Sequence, residues 1–262
     1  MNKHLATGIL ILLAASGLAS ANTLNVRLNY FIPRAEATPD SLWGIELANM
    51  SFRRSSFQEA YFGFGYEFFL TGSFSLLLEV DPYSKSKAGF YRDYTGIQLV
   101  EGDFAFPQDY QGDYTPGHSL SLSITPIQLS LKIAPFGRRG KLIPYLGGGV
   151  GLYLWSVRLR GDIIDFSDEW TYEDPAYGDI PIYPITQRDA FEGDGLGRVA
   201  FGWQAFAGFM FPIANRLTID LGCKVSAAKG TFADEAHGGA FLGFDKFDLG
   251  GFHIQLGMNY WF

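Results

Sequence analysis

The sequence predicts an all-β chain that closes into an eight-stranded antiparallel transmembrane β-barrel. Three observations point there: an exported N-terminus, repeated period-two alternation of apolar and polar residues, and connections that alternate short and long. Lys3 precedes an apolar run from Leu5 to Leu18, which ends at Ala19-Ser20-Ala21. This reads as a cleavable secretory signal over residues 1–21, with the barrel domain over 22–262. After Asn22 every apolar stretch is broken by Gly, Pro or charge well before the roughly 20 residues that a spanning helix needs. The single cysteine, Cys223, excludes an intrachain disulfide framework. A closed barrel needs none, because every strand is paired on both sides.

The strands follow in order. Leu24, Val26, Leu28, Tyr30 and Ile32 form one face of the first, with Asn25, Arg27 and Asn29 between them. Phe62, Phe64, Tyr66, Phe68 and Leu70 alternate with Gly63, Gly65 and Glu67 in the second; Phe74, Leu76, Leu78 and Val80 alternate with Ser75 and Glu79 in the third. In the fourth, Leu120, Leu122 and Ile124 fall out of step with Ile127, Leu129, Leu131 and Ile133. A β-bulge at Thr125-Pro126 is expected to restore a single apolar face and to accommodate the proline. The fifth opposes Leu146, Val150, Leu152 and Leu154 to Tyr145, Gly147, Gly149, Gly151 and Tyr153, and the sixth opposes Val199, Phe201, Trp203, Phe209 and Phe211 to Gly202, Gln204 and Gly208. The seventh sets Leu217, Ile219, Leu221, Cys223 and Val225 against Thr218, Asp220, Lys224 and Ser226. The eighth sets Phe252, Ile254, Leu256, Met258, Tyr260 and Phe262 against His253, Gln255 and Asn259. Thr71-Gly72-Ser73, Pro135–Lys141 and Pro212–Arg216 read as compact periplasmic turns, whereas 33–57, 88–116, 159–197 and 232–247 read as long extracellular loops. A soluble sandwich or lipocalin-like barrel would invert these faces. The Gly- and Ser-rich polar face and the aromatics near strand ends disfavour that inversion.

The last eight residues, Gln255 to Phe262, carry Gln255, Gly257, Tyr260 and Phe262 in the pattern polar, glycine, aromatic, terminal aromatic. This ending resembles the assembly signal of bacterial outer-membrane barrels. Together with the leader and the loop rhythm, the chain resembles the small outer-membrane β-barrel domain family, the group around OmpA, OmpX and OmpW-like proteins. The resemblance implies residence in the outer membrane, contact with its lipid and lipopolysaccharide, and engagement of the barrel assembly machinery through the C-terminal strand. For function it implies a non-enzymatic barrel that supports the envelope or passes small solutes, hydrophobic ones included; the alternatives are a loop-mediated surface binder or adhesin and a lipid A-modifying hydrolase.

Six charges are expected in the lumen: Arg27, Glu67, Glu79, Lys132, Asp220 and Lys224. Eight strands enclose a space that side chains fill, so these charges are expected to pair as a network, with a narrow conduit as the alternative. The third loop is acidic, with Asp162, Asp165, Asp168, Glu169, Glu173, Asp174, Asp179, Asp189, Glu192 and Asp194 against Arg188. No calcium-loop spacing is present, so this charge reads as solvated and no metal or cofactor is expected. The net charge of −7 argues against nucleic acid. Gly147-Gly148-Gly149-Val150-Gly151 and Gly137-Arg138-Arg139-Gly140-Lys141 lack the context of phosphate loops. The hydrolase alternative rests on His118 with Ser119 and Ser121, or on His253.

Overall fold

The computed structural model describes residues 22–190, 199–232 and 245–262. The leader lies outside the described residues, as do Glu192, Asp194 and most of the fourth loop. The barrel wall consists of β1 (Asn22–Pro33), β2 (Glu59–Phe69), β3 (Phe74–Val80) with β4 (Tyr83–Phe90), β7 (Gly117–Ile133), β8 (Ile143–Ile164), β11 (Val199–Ala214), β12 (Leu217–Gly230) and β14 (Gly251–Trp261). Each pairs antiparallel with the next, and β14 returns to β1 through a ladder from Thr23↔Trp261 to Pro33↔Gly251. The sheet is therefore closed, with eight strand positions. Closure pairs the backbone groups along the ladders of the wall, as crossing a bilayer demands.

The third position is shared. β3 pairs with the lower half of β7, from Phe74↔Ile133 to Val80↔Ile127, and β4 with its upper half, from Tyr83↔Ile124 to Phe90↔Gly117. Asp81-Pro82 joins the two. The ladder between β2 and β3 stops at Phe64↔Val80, and among the described residues no ladder joins β2 to β4. An ion pair between Lys85 and Glu59 links the two strands there.

The expected bulge at Thr125-Pro126 is absent. β7 pairs with β8 in unbroken register from His118↔Gly161 to Ile133↔Leu146, and burial alternates strictly along the whole strand. Leu120, Leu122 and Ile124 point inward, while Leu129 and Leu131 point outward. The phase change is an exchange of solvents. Below Thr125 the outer face is apolar and the lumen polar; above it, Ser119, Ser121 and Ser123 face out and the lumen is apolar. β8 switches at the same height, from outward Val150 and Leu152 to outward Arg158, with Tyr153, Trp155, Val157 and Leu159 inside. Among the described residues, the one register shift falls between Pro212 and Ala214, at the β11–β12 turn.

The lower outer face forms a continuous apolar belt of Leu24, Val26, Leu28, Phe62, Phe64, Leu129, Leu131, Phe209, Leu221, Leu256 and Met258, all exposed. On β1 the outward apolar series runs from Leu24 to the half-buried Ile32, about the 9–11 residues of a tilted strand crossing a bilayer. An apolar exterior around a charged interior is the arrangement of an outer-membrane barrel. The 22 residues of β8 carry the wall well beyond that belt.

Candidate functional site

The lower lumen is filled by charge. Arg27 on β1 pairs with Glu79 on β3 and reaches Asp81 at 3.3 Å. Lys224 on β12 also pairs with Asp81 and lies 3.4 Å from Gln128, while Asn29 donates to Asp81 at 3.2 Å. Nearer the periplasm, Lys132 bonds Glu67 at 3.1 Å, approaches Asp220 at 4.0 Å and sits 4.2 Å from the centre of the Tyr145 ring. Tyr145 donates to Asp220. Its ring is accommodated because Gly208 and Gly222 leave open the space into which a Cβ would project. All six residues expected in the lumen are buried there.

Sequence reasoning missed two charged members. Asp81 follows Val80, where the third strand read from the sequence ends, and Arg138 lies in the short turn after β7. The Arg138 guanidinium donates to the Thr71 and Gly72 carbonyls at 3.0 Å, to Ser75 at 2.8 Å and to Glu67 at 3.2 Å, closing the periplasmic mouth. Four carboxylates, Glu67, Glu79, Asp81 and Asp220, thus face four cations, Arg27, Lys132, Arg138 and Lys224. Buried charge is tolerable only with such matching. Among the described residues, the cavity beside Asp81, Gln128 and Lys224 and the cavity beside Arg27, Lys132 and Asp220 are each about 10 Å³, with room for a single water.

The upper lumen is a second, apolar core. It is closed by the first loop, whose helix α1 (Leu42–Asn49) was not anticipated. Ser41 caps it by accepting from the Gly44 N–H at 3.0 Å, and Arg92 donates to the carbonyls of Leu47 and Ala48 at its other end. Trp43 is fully buried and donates to the Asp248 carbonyl at 3.0 Å. Its ring stacks at 5.1 Å on Phe247 of the short β13 (Phe247–Asp248), and Phe247 stacks on Trp155 at 5.7 Å. Leu42, Met50, Phe52 and Phe57 complete the lid against Leu120, Leu122 and Leu159 of the wall.

Loops two and three form a separate extracellular cap. β5 (Tyr94–Leu99), β6 (Gly102–Pro107), β10 (Gly178–Ala190) and β9 (Trp170–Asp174) make a sheet in that order, and β10 also pairs with β8. Phe104, Phe106, Ile180 and Ile182 form its buried cluster. Strand therefore takes up about half of the segment expected as loop 88–116 and most of the described part, 159–190, of the segment expected as loop 159–197. Acidic residues of loop three bond within the loop: Asp165 accepts from the Ser167 N–H at 3.1 Å and Asp174 from the Ala176 N–H at 2.7 Å in local turns, and Glu169 accepts from the Tyr183 hydroxyl on β10 at 3.0 Å. Among the described residues no cluster could hold a metal ion.

The hydrolase constellation is not assembled. His118 points inward and bonds Glu46 of α1 at 2.8 Å, whereas Ser119 and Ser121 face outward on the opposite side of β7. His253 lies 3.0 Å from the Ser226 hydroxyl, and its other nitrogen meets the Tyr61 hydroxyl at 2.9 Å, where a triad would place a carboxylate. In the terminal strand, Gln255 donates inward to Asn29 at 3.0 Å and Gly257 packs beneath Arg27, while Tyr260 and Phe262 lie ring to ring at 5.3 Å toward lipid.

No protein-family model and no curated protein sequence matches the chain. Solved structures with a similar outline include OprG from Pseudomonas aeruginosa, with 12% identity over 93% of this chain and 96% of that one, at a TM-score of 0.48. Outer membrane protein W from E. coli shows 11% identity over 93% and 98%, at 0.43. Neisserial surface protein A shows 9% over 92% and 95%, at 0.38. The barrel assignment rests on the chain's own ladder and faces.

Proposed function

We propose that this outer-membrane β-barrel is a closed, non-enzymatic scaffold whose work is done by binding at its extracellular cap. The observation that carries this reading is the double closure of the lumen. A neutralised set of four carboxylates and four cations fills the membrane-spanning half, and an aromatic core under α1 fills the half above it. Moving an ion through would require separating buried pairs, at about 3–5 kcal/mol for each uncompensated charge. The cap has its own buried cluster and is hydrogen-bonded to the wall through β10, so it presents a fixed surface. Engagement of the assembly machinery through Gln255, Gly257, Tyr260 and Phe262 belongs to the same reading.

The test is single-channel recording of the folded protein in a planar bilayer, with heat-modifiable gel mobility as the measure of folding. A folded, silent barrel is expected; discrete, reproducible openings would overturn the reading. A second reading rests on the missing ladder between β2 and β4. Apolar solutes would pass sideways through that seam, which is flanked inside by Tyr61 and Tyr83 with ring centres 6.1 Å apart. Cross-linking cysteines placed at Glu59 and Lys85 would abolish uptake of a hydrophobic dye on that reading and leave it unchanged on the first.

A further inference from the structure

The extracellular sheet of β5, β6, β10 and β9 has two apolar faces, and the barrel uses one of them. Cross-strand partners share a face. Tyr183 pairs with Ala105, and these two pack with Tyr94 on the core of the upper lumen. Trp170 pairs with Ile182, Tyr172 with Ile180 and Ile97 with Phe104 on the opposite face, away from that core. Rings roof this second face: Trp170 lies 5.2 Å from Phe104, Tyr172 lies 5.2 Å from Phe106, and Tyr110 lies 5.6 Å from Phe106 and 5.5 Å from Tyr177. Tyr177 is 78% exposed and Trp170 43% exposed, so among the described residues no further layer covers them. The Tyr110 hydroxyl between them is shielded from solvent and has no hydrogen-bond partner among the described residues.

The solvated face of an antiparallel sheet is ordinarily polar, and exposed aromatics gathered on one are the composition of an interface centre. Charge then selects the partner. Residues 93–114 and 162–187, which build this sheet, carry twelve Asp and Glu and no Lys or Arg. Each exposed ring also has a carboxylate beside it: Asp168 accepts from the Trp170 indole N–H at 3.1 Å, and Asp174 accepts from the Tyr177 backbone N–H at 3.0 Å. A cation over either ring is attracted by the ring face and by the neighbouring carboxylate together. An anionic partner meets like charge everywhere on this surface, which costs several kcal/mol in an interface.

We propose that the outward aromatic face of the cap, formed by Trp170, Tyr172, Tyr110 and Tyr177, docks a cationic polypeptide whose Lys or Arg side chains lie over the rings and beside Asp168 and Asp174. The inference rests on the reading that the cap is the binding surface, and it adds the class of partner. The carboxylates draw the partner in from a distance, and the rings hold it in place.

The experiment titrates the folded full chain, in uncharged detergent micelles at physiological ionic strength, with fluorescein-labelled deca-arginine and with a labelled Gly-Ser peptide of the same length, following fluorescence anisotropy. Deca-arginine is expected to bind and the neutral peptide is not. Tyr177→Ala is expected to lower the affinity for deca-arginine about fivefold, the worth of one exposed cation–π contact, while Tyr177→Phe keeps it. Trp170→Ala should act to the same extent. None of these substitutions changes the charge, so such a loss does not arise from general attraction of a polycation to a chain of net charge −7. Gel mobility verifies that each variant is folded. Equal binding of the two peptides by the wild-type chain would overturn the proposal without reference to any variant, and so would folded Tyr177→Ala and Trp170→Ala chains that bind deca-arginine as wild type does. Channel openings would overturn the reading of a closed scaffold whatever these titrations give, whereas a silent barrel that fails them overturns the cationic partner alone.

Discussion

Asp81→Asn is the sharpest test of the charge set in the lumen. Asp81 occupies the step between β3 and β4, where its carboxylate serves Lys224, Arg27 and Asn29 together. Both Asp81 and Lys224 have side chains only 1% exposed. Asparagine preserves the shape and can still bond Asn29, yet it leaves four cations facing three carboxylates. Arg27 retains Glu79, whereas Lys224 keeps only the Gln128 amide oxygen at 3.4 Å. Stranding a buried charge costs about 3–5 kcal/mol. That loss is expected in urea titration of the folded protein in liposomes, read by tryptophan fluorescence. Adding Lys224→Met removes the stranded cation, so the double variant should recover most of the loss. A single-variant loss below about 1 kcal/mol, the range of exposed pairs, would refute the reasoning, as would a double variant no more stable than Asp81→Asn.

Other expectations follow from the two faces and the two cores. Leu221→Arg, on the belt, should cost about 2–4 kcal/mol in the same titration, whereas Ser121→Arg, above the belt, should change stability by less than about 0.5 kcal/mol. Gly208→Val should sharply reduce the yield of heat-modifiable folded protein, because its side chain would meet the Tyr145 hydroxyl and the Leu221 carbonyl. His118→Ala leaves Glu46 buried without its partner. It should cost about 1–3 kcal/mol and speed proteolysis within loop one, with no change in lipid acyl chains detected by mass spectrometry.

Period-two alternation was enough to locate seven of the wall positions and the lower part of the third, because a wall with two solvents writes its faces directly into the sequence. It misled at Thr125-Pro126. A change of phase within one strand has two physical causes, a bulge or an exchange of environments, and a single strand does not separate them. Its partner does: β8 changes from outward Leu152 to outward Arg158 in the paired stretch, and a bulge in β7 would not alter β8. Pairwise reading would also have recovered β4, whose outward Ser84 and Ser86 continue the serine rows of β7. The lumen charges were legible by parity on regular strands, and Asp81 keeps that parity, since it continues the inward series Ser75, Leu77 and Glu79 into Tyr83 in one register against β7; the strand read from the sequence ended at Val80, one residue short of it. The Glu46–His118 bond joins a loop helix to the wall across 72 residues of sequence; no local pattern encodes it.

The exchange of environments also explains why the closure lies where it does. A barrel strand keeps its backbone pairing along its whole length, as β7 does with β8, but its two faces must suit whatever lies on either side. In the bilayer the outside is hydrocarbon, so the wall spends its apolar residues there, and the narrow interior is left to polar groups that must satisfy one another. Above the bilayer the outside is water or headgroup, so the apolar residues turn inward and form a core of the ordinary soluble kind, for which loop one supplies the missing layer. The two interiors meet near Tyr61, Tyr153, Ser226 and His253, whose polar groups bond one another or Gln128, and the three rings among them pack with the apolar side. Amphipathic rings are the groups able to join a charged layer to an apolar one without orphaning a donor. An open channel would have to hydrate both layers through this junction. The aromatic junction is therefore as much a part of the barrier as the ion pairs below it.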